Sequence, residues 1–513
     1  MLDAIGGMVH ALGTASLHLL HFESMLFLIA GTCIGLLFGA IPGLGGTTAL
    51  ALLIPLTYGM DKADAIMLMG GSMAATSTGG SVSAILLNTP GIAPNAATTF
   101  DGFPLAQQGR AGEAIGAGAT ASAMGGLIGV FTLLLVIPIA KEIVLLFSPP
   151  EFFLLAIFGL CAIAVSTGTR LLQALLAAIF GFICSFVGFD SITAVVRYTY
   201  DIEPLWDGIK LVPALIGLFA VSQMIDLAVK GGSISGDALQ VKIQRVSDGI
   251  KDVFRNWSTM LVGSGIGTFI GAVPGVGGTV AGFLSYSTQV QRDPNPEVPY
   301  GKGNIRGVIA PESANNAKDG GSLIPTLAFG IPGSAETAVF LGAMVLHGLE
   351  PGPRLLFEHE DVVFTLVLTL TVACVIATLI VLALAKPMAY LTLVESHVLA
   401  PVVTVVALVG AYALQGEFGD VIIALVFSII GYLMIRFQYP RITFTIALVL
   451  GGITERSFFQ ALGISDGSYA IFFTRNVSLI LIALIVISLL IPALRSQMAR
   501  RRARRQEREG GAS

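Results

Sequence analysis

Long apolar runs, broken by short turns rich in glycine and proline, make up most of this chain. Ser24 to Met60 and Asn256 to Gln291 contain no Asp, Glu, Lys or Arg. A continuous apolar stretch of about 20 residues is long enough to cross a hydrocarbon core of about 30 Å as a helix. The pattern predicts helices over 22–40, 47–57 (a short one), 64–87, 113–140, 152–166, 171–189 and 211–229. Beyond a polar stretch at 230–255 it predicts 257–270, 307–329, 361–385, 399–414, 419–436, 441–453 and 475–494. Residues 93–112 and 291–301, rich in turn formers, read as loops. The expected fold is an all-α polytopic integral membrane protein with about 11–12 transmembrane segments.

One interruption occurs twice. Gly35–Thr47 and Gly267–Thr279 share the pattern Gly-x-x-x-Gly-Ala-x-Pro-Gly-x-Gly-Gly-Thr. Proline lacks the backbone donor and glycine is costly in a helix interior, so neither helix continues through it. Broken backbone at membrane depth persists only where protein or a water-filled cavity satisfies it, and matched breaks in two halves point to a transporter's binding site. The match extends along the chain. Gly79-Gly-Ser81 aligns with Gly320-Gly-Ser322, and Leu87-Asn-Thr-Pro-Gly91 with Phe329-Gly-Ile-Pro-Gly333. The expected units are therefore an N-terminal tail (1–20), a first transmembrane repeat (21–229), a cytoplasmic linker (230–255), a second repeat (256–494) and a basic tail (495–513).

Charge then orients the units. Only 12% of the residues are charged and the mean hydropathy is +0.84, against about 25% charged in soluble domains, so most of the surface faces lipid. No Lys or Arg precedes Lys62, whereas the linker holds Lys230, Lys242, Arg245, Lys251 and Arg255, and the tail holds a run of arginines from Arg500. By the positive-inside rule linker and tail are cytoplasmic and the N-terminus is outside, which makes the two repeats inverted. A basic tail after an apolar helix reads as an anchor on anionic membrane lipid rather than a nucleic-acid site. The N-terminus has no basic n-region of a signal peptide. Cys33, Cys161, Cys184 and Cys374 have neither pairing nor ligand spacing and read as buried thiols.

The candidate substrate- and ion-binding residues follow from the breaks. They are Pro42, Gly43, Gly45, Gly46 and Thr47 with Pro274, Gly275, Gly277, Gly278 and Thr279, then Asn88, Thr89, Pro90 and Gly91 with Pro332 and Gly333. A helix restarted at such a break points amide N–H groups at a carboxylate, and the carbonyls left behind can coordinate Na⁺. Ser77, Thr78 and Ser81 suit the lining of a polar path. The cluster Pro311–Ser322 adds Asn315, Asn316, Lys318, Asp319 and Ser322: either a solvated loop, or a membrane-embedded charge cluster, which is functional by default. In the second case Lys318 pairs an anionic substrate, and Asp319 or Glu312 holds a cation or neutralises the lysine. Glu336 reads as an ordinary first-turn acid. No HExxH zinc site and no Walker A lysine is present, so no catalytic residue, enzyme activity or bound cofactor is expected, beyond Na⁺ as a coupling ion.

With these residues in view, the chain resembles the large membrane (permease) subunit of the tripartite tricarboxylate transporters, TctA type. The resemblance spans about residues 20–490 and rests on Gly39–Gly46, Leu87–Gly91, Asp101-Gly-Phe-Pro104, Pro311–Asn316 and Phe329–Gly333. It implies a multi-pass permease of the bacterial inner membrane, working with a small membrane subunit and a periplasmic substrate-binding protein. It implies import of citrate or a related di- or monocarboxylate by symport with a cation, Na⁺ being the expected one. The matched breaks alone leave an ion-conducting channel as the alternative.

Overall fold

The structure, a computed structural model, describes residues 2–166, 171–190, 195–230, 244–391 and 396–490. The first half runs α1 (Leu2–Leu20), α2 (Phe22–Ala40), α3 (Gly45–Leu56), α4 (Lys62–Leu87), a 3₁₀ turn (Ala93–Thr98), α5 (Thr99–Gln107), α6 (Ala111–Val144), α7 (Pro149–Ser166) and α8 (Leu171–Ser185). A two-stranded antiparallel hairpin, β1 (Gly188–Phe189) and β2 (Val196–Arg197), leads to α9 (Leu211–Leu215), a π turn (Ile216–Val221) and α10 (Ser222–Lys230). The second half runs α11 (Val246–Arg255), α12 (Trp257–Ala272), α13 (Gly277–Arg292), α14 (Arg306–Phe329), α15 (Ala335–Leu346) and α16 (Pro353–Glu358). There follow α17 (Glu360–Leu391), α18 (Ser396–Ala413), α19 (Phe418–Arg436), α20 (Arg441–Ile464), α21 (Ile471–Thr474) and an apolar helix α22 (Asn476–Leu490). Among the described residues six helical stretches are long and apolar enough to cross a membrane: α2, α6, Leu211–Lys230, Glu360–Ala385, α19 and α20. Large apolar side chains left exposed at helical spacing, such as Phe131, Leu135 and Ile139 on α6 or Ile422, Val426 and Ile429 on α19, form outward faces that suit lipid.

Small residues decide which helices touch. Gly31, Gly35 and Gly39 of α2 lie directly on the carbonyls of Leu68, Ser72 and Thr76 of α4, where a Cβ would stand 1.9, 2.2 and 2.1 Å from the oxygens. Gly267 and Gly271 of α12 lie in the same way on Ala314 and Lys318 of α14, at 2.1 and 2.3 Å. The contact is reciprocal: Gly79 meets the Leu36 carbonyl at 2.4 Å and Gly321 meets that of Thr268 at 2.2 Å. Glycine four residues apart lets two backbones approach without side chains between them. Both pairs run parallel, α2 with α4 and α12 with α14. Between the pairs the direction reverses: Gly118 on α6 abuts both Ile85 and Val308, while eight residues back along α4 Ser77 reaches Asn315.

Several expectations change. Matching contacts pair Gly79 with Gly321, not Gly320, so the α4–α14 correspondence is one residue off the alignment of Gly-Gly-Ser letters; Thr76 and Ser77 stand where α14 has Lys318 and Asp319. Residues 2–20, expected as a tail, form α1, whose Ala11 and Ala15 pack on Phe364 of α17. The expected 93–112 loop is the 3₁₀ turn and α5, because Asn95, Thr98 and Asp101 find buried partners that hold the backbone coiled. Within the 230–255 linker α11 is helical, and 231–243 lies outside the described residues, as does the basic tail. Cys184 and Cys374 are buried, Cys161 partly so, but Cys33 is exposed on α2.

Candidate functional site

Each broken helix is closed by residues in the left-handed region, which a residue with a Cβ enters only with strain, and the closing residue is glycine at every end but that of α4. Gly43 (φ 90°) and Gly45 (φ 72°) turn α2 into α3; Gly275 (φ 74°) and Gly277 (φ 73°) turn α12 into α13. α4 ends on Asn88 (φ 53°) and α14 on Gly330 (φ 70°). Beyond those ends Gly91 folds onto the Gly39 carbonyl and Gly333 onto that of Gly271, and the Gly275 N–H donates to the Gly333 carbonyl at 3.0 Å. The tips are thus locked together in pairs.

All four tips border one cavity of about 500 Å³. Of the predicted residues, Gly43, Gly45, Gly46, Thr47, Pro90, Gly91, Gly275, Gly277, Gly278, Thr279 and Lys318 line it. Pro42, Pro274, Pro332 and Gly333 stand behind that wall as part of the turns, and Asn88 is exposed with Thr89 beside it. Ser77, Thr78, Ser81, Asn315, Asn316, Asp319 and Ser322 are buried away from the cavity. Asn316 Nδ2 donates to Thr78 Oγ1 (3.2 Å) and the Ala74 carbonyl (3.4 Å), and Ser77 Oγ to Asn315 Oδ1 (3.4 Å), which fastens α4 to α14. Ser81 and Ser322 donate back to the carbonyls of Thr78 and Asp319 in their own helices.

The loop alternative for Pro311–Ser322 is excluded: the whole cluster is helical and buried in α14. Lys318 Nζ lies 2.7 Å from Asp319 Oδ1 and also ion-pairs Glu336, the first-turn acid of α15. Its charge is covered twice, and the group of three carries a net negative charge. Glu336 does lie in the first turn of α15 as expected, behind the Ser334 cap, but it is also buried and faces Gly46, where a Cβ would come within 2.7 Å of its carboxylate. Glu312 does not reach the lysine. Its carboxylate accepts from Asn95 Nδ2 (2.9 Å), Thr98 Oγ1 and Ser122 Oγ (2.8 Å), all neutral.

Sequence reasoning missed Arg441, the first residue of α20. Its guanidinium donates to the Leu218 carbonyl (3.0 Å), Ser222 Oγ (3.0 Å) and Gln223 Oε1 (3.1 Å) and lies over the Phe219 ring, 5.3 Å from its centroid. Among the described residues it forms no ion pair, and it lines the cavity together with Phe219 and Gln223. Three hydrogen bonds leave two of the five guanidinium N–H groups free. The only advance signal is a single Arg after Pro440 at the mouth of an apolar helix. With the N-termini of α3, α13 and α15 at the wall, the cavity offers backbone N–H groups and one unneutralised cation to an anion, and the Asp319–Lys318–Glu336 group to a cation.

A Gly463-Ile-Ser-Asp-Gly467 run has the lettering of a nucleophile elbow. It closes the C-terminus of α20, where Ser465 Oγ donates to backbone carbonyls and no base adjoins it.

Residues 25–446 match the model of the Tripartite tricarboxylate transporter TctA family. The chain is 30% identical over 481 residues to an Agrobacterium vitis protein described as "Uncharacterized 52.8 kDa protein in TAR-I ttuC' 3'region", covering 92% of this chain and 94% of the relative. A second A. vitis protein, from the TAR-II ttuC' 3'region, is 31% identical over 234 residues, 45% of this chain and 96% of its own length. No solved structure matches.

Proposed function

The chain belongs to the tripartite tricarboxylate transporter TctA family, a family of membrane transport proteins, and on that premise we propose that it is a permease subunit importing carboxylates. The substrate class is a di- or tricarboxylate such as citrate, or a related monocarboxylate, and the driving force is a cation gradient with Na⁺ as the coupling ion. One observation carries the reading: four helix breaks, far apart in sequence, meet at a single cavity that also holds a cation without a counter-charge. Arg441 takes one carboxylate group, with its two free N–H donors and its planar fork suited to that partner. A second carboxylate is met by the amides at the starts of α3, α13 or α15. The coupling cation is drawn to the excess carboxylate of the Asp319–Lys318–Glu336 group, where Asp319 Oδ1 is held by Lys318 and Oδ2 has no partner among the described residues.

The repeated glycine contacts and the reversed direction of α4 and α14 support two inverted repeats, a design that suits alternating access about a central site. As the family implies, a small membrane subunit and a periplasmic substrate-binding protein complete the transporter, in the bacterial inner membrane. The test is uptake of radiolabelled citrate and other carboxylates into proteoliposomes holding this chain and its two partner subunits. Saturable uptake that stops when the Na⁺ gradient is collapsed is the expected result. Ionic current that persists without any substrate gradient or binding protein would instead make the cavity part of a channel.

A further inference from the structure

Glu312 is the oddest charge in the molecule. It is fully buried in α14, does not line the cavity above, and has no ion-pair partner among the described residues. An ionised carboxylate without a counter-charge is costly to bury. The charged groups on the elements around it are all engaged elsewhere. Asp101 on α5 accepts from the N–H groups of Gly301, Gly303 and Asn304 and from Tyr286 of α13; Glu113 on α6 pairs with Arg110; Lys318 and Asp319, further along α14, pair with each other. Among the described residues the partners of Glu312 are Asn95, Thr98 and Ser122, each itself buried.

We propose that Glu312 is a proton-carrying site, loaded and unloaded as the 3₁₀ turn Ala93–Thr98 shifts with the state of the cavity. Two features of the geometry point there. The first is that the site accommodates both protonation states without a vacancy. As found, three donors serve an anion. With a proton on Oε2, that oxygen donates to Ser122 Oγ, whose own hydrogen turns to the carbonyl of Gly118, four residues earlier in α6. An alkali cation would need room and a shell of oxygen ligands, as hard cations do, whereas the Glu312 stem is packed against α6, with Gly118 placed so that a Cβ would be 3.9 Å away. The second is that two of the three donors ride on the turn whose first residues, Ala93 and Pro94, form part of the cavity wall. Pro94 packs against Gly278 at the second break. If the turn moves when a carboxylate enters or leaves, Asn95 and Thr98 move with it. A carboxylate stripped of those donors must take up a proton. This step rests on the reading of the cavity as the substrate site and adds to it the entry of one proton through this chain.

The test has two readouts on the full-length chain in lipid. Infrared difference spectra across a pH titration should show the C=O stretch of a protonated carboxylic acid that vanishes on alkalinisation and is missing in Glu312→Gln. In liposomes with the partner subunits and an inward Na⁺ gradient, an internal pH dye should report proton entry with citrate, and the residual flux of Glu312→Gln should carry none. Should Glu312→Gln fail to fold, Thr98→Val serves instead. Losing one donor to the anion should raise the infrared midpoint by about one pH unit, a tenfold gain in proton affinity. An acid band untouched by Glu312→Gln, an unmoved midpoint in Thr98→Val, or uptake without proton entry overturns the proposal and leaves the cavity reading standing. A titrating Glu312 in a wild-type chain that takes up no carboxylate supports the proton site and sinks the cavity reading instead.

Discussion

Lys318 and Arg441 both reach the cavity wall, but their surroundings suit them to different tasks. Lys318 is held between Asp319 and Glu336, so a substrate carboxylate arriving there would meet a net negative group. Arg441 is held by a carbonyl, a hydroxyl and an amide, which fix its position and leave its charge unspent. Arg441→Gln should therefore raise the half-saturating carboxylate concentration about 10- to 100-fold, the range expected when a charged hydrogen bond worth about 1.5–3 kcal/mol is lost. Its melting temperature should stay near that of the native chain. Arg441→Lys should fall between the two, because a compact ammonium cannot keep the fork geometry. Equal uptake kinetics for Arg441→Gln and the native chain would remove Arg441 from the site. Lys318→Met, by contrast, leaves two carboxylates facing each other in the interior and should cost about 3–5 kcal/mol of stability. Lys318→Met/Glu336→Gln/Asp319→Asn should recover much of that in a thermal melt while losing Na⁺ dependence; a triple variant that still responds to Na⁺ would make the group purely structural.

At the scale of helices, glycines of one residue type do two jobs that substitution separates. At Gly267 a Cβ would sit 2.1 Å from the Ala314 carbonyl oxygen, so Gly267→Ala must push α12 off α14. Overpacking of this kind costs about 1–3 kcal/mol or more, and Gly35→Ala should do the same to α2 and α4. Gly277→Ala meets nothing within 4 Å but must hold φ near 73°, a strain of about 1–2 kcal/mol. Melting in detergent should rank Gly267→Ala and Gly35→Ala well below Gly277→Ala, with the last keeping its fold and losing uptake because the α13 tip is re-aimed. Equal melting points for all three would refute the division. Long apolar runs made α2, α4, α6 and α12 legible in the sequence, since length and scarcity of charge are local signals; α14, with Glu312, Lys318 and Asp319 inside it, was legible through its parallel with α4. The breaks were legible too, because a Pro-Gly run stops a helix whatever surrounds it. The coiling of 93–107 was not: its backbone is held by partners some two hundred residues away, such as Glu312 for Thr98 and Asn304 for Asp101. Arg441 was hidden for a related reason. Its value lies in having no ion-pair partner among the described residues, the nearby Asp226 being paired with Lys230, and spacing along a chain cannot show that.

On the proposed reading of two inverted repeats, contacts exchange between the halves. Gly46 of the first unit faces Glu336 of the second, while Gly278 of the second faces Pro94 of the first. Shifting each residue by the offset that relates its own helices carries one contact onto the other, as a two-fold relation requires. The ends of the units separate accordingly. Near one end His18, just before α2, lies 3.2 Å from Asp64 at the start of α4, and Thr57 after α3 meets His347 after α15 at 2.9 Å. Near the other, Arg306 Nε at the start of α14 donates to Asn256 Oδ1 at the start of α12 (2.7 Å), beside α11 with Lys251 and Arg255. The positive-inside rule assigns the second end to the cytoplasm. With Cys33, Cys161, Cys184 and Cys374 replaced, a single cysteine at the exposed Tyr58 should react with a membrane-impermeant maleimide in intact spheroplasts. One at the exposed Lys251 should react only after the membrane is opened. The two sites test the fold and the orientation together. Labelling of both from the same side would break the two-fold relation on which the shared cavity depends. Labelling of Lys251→Cys alone from outside would keep that relation and turn the whole molecule over, setting the basic loop against the positive-inside rule and placing the Thr57–His347 end where the cytoplasm begins.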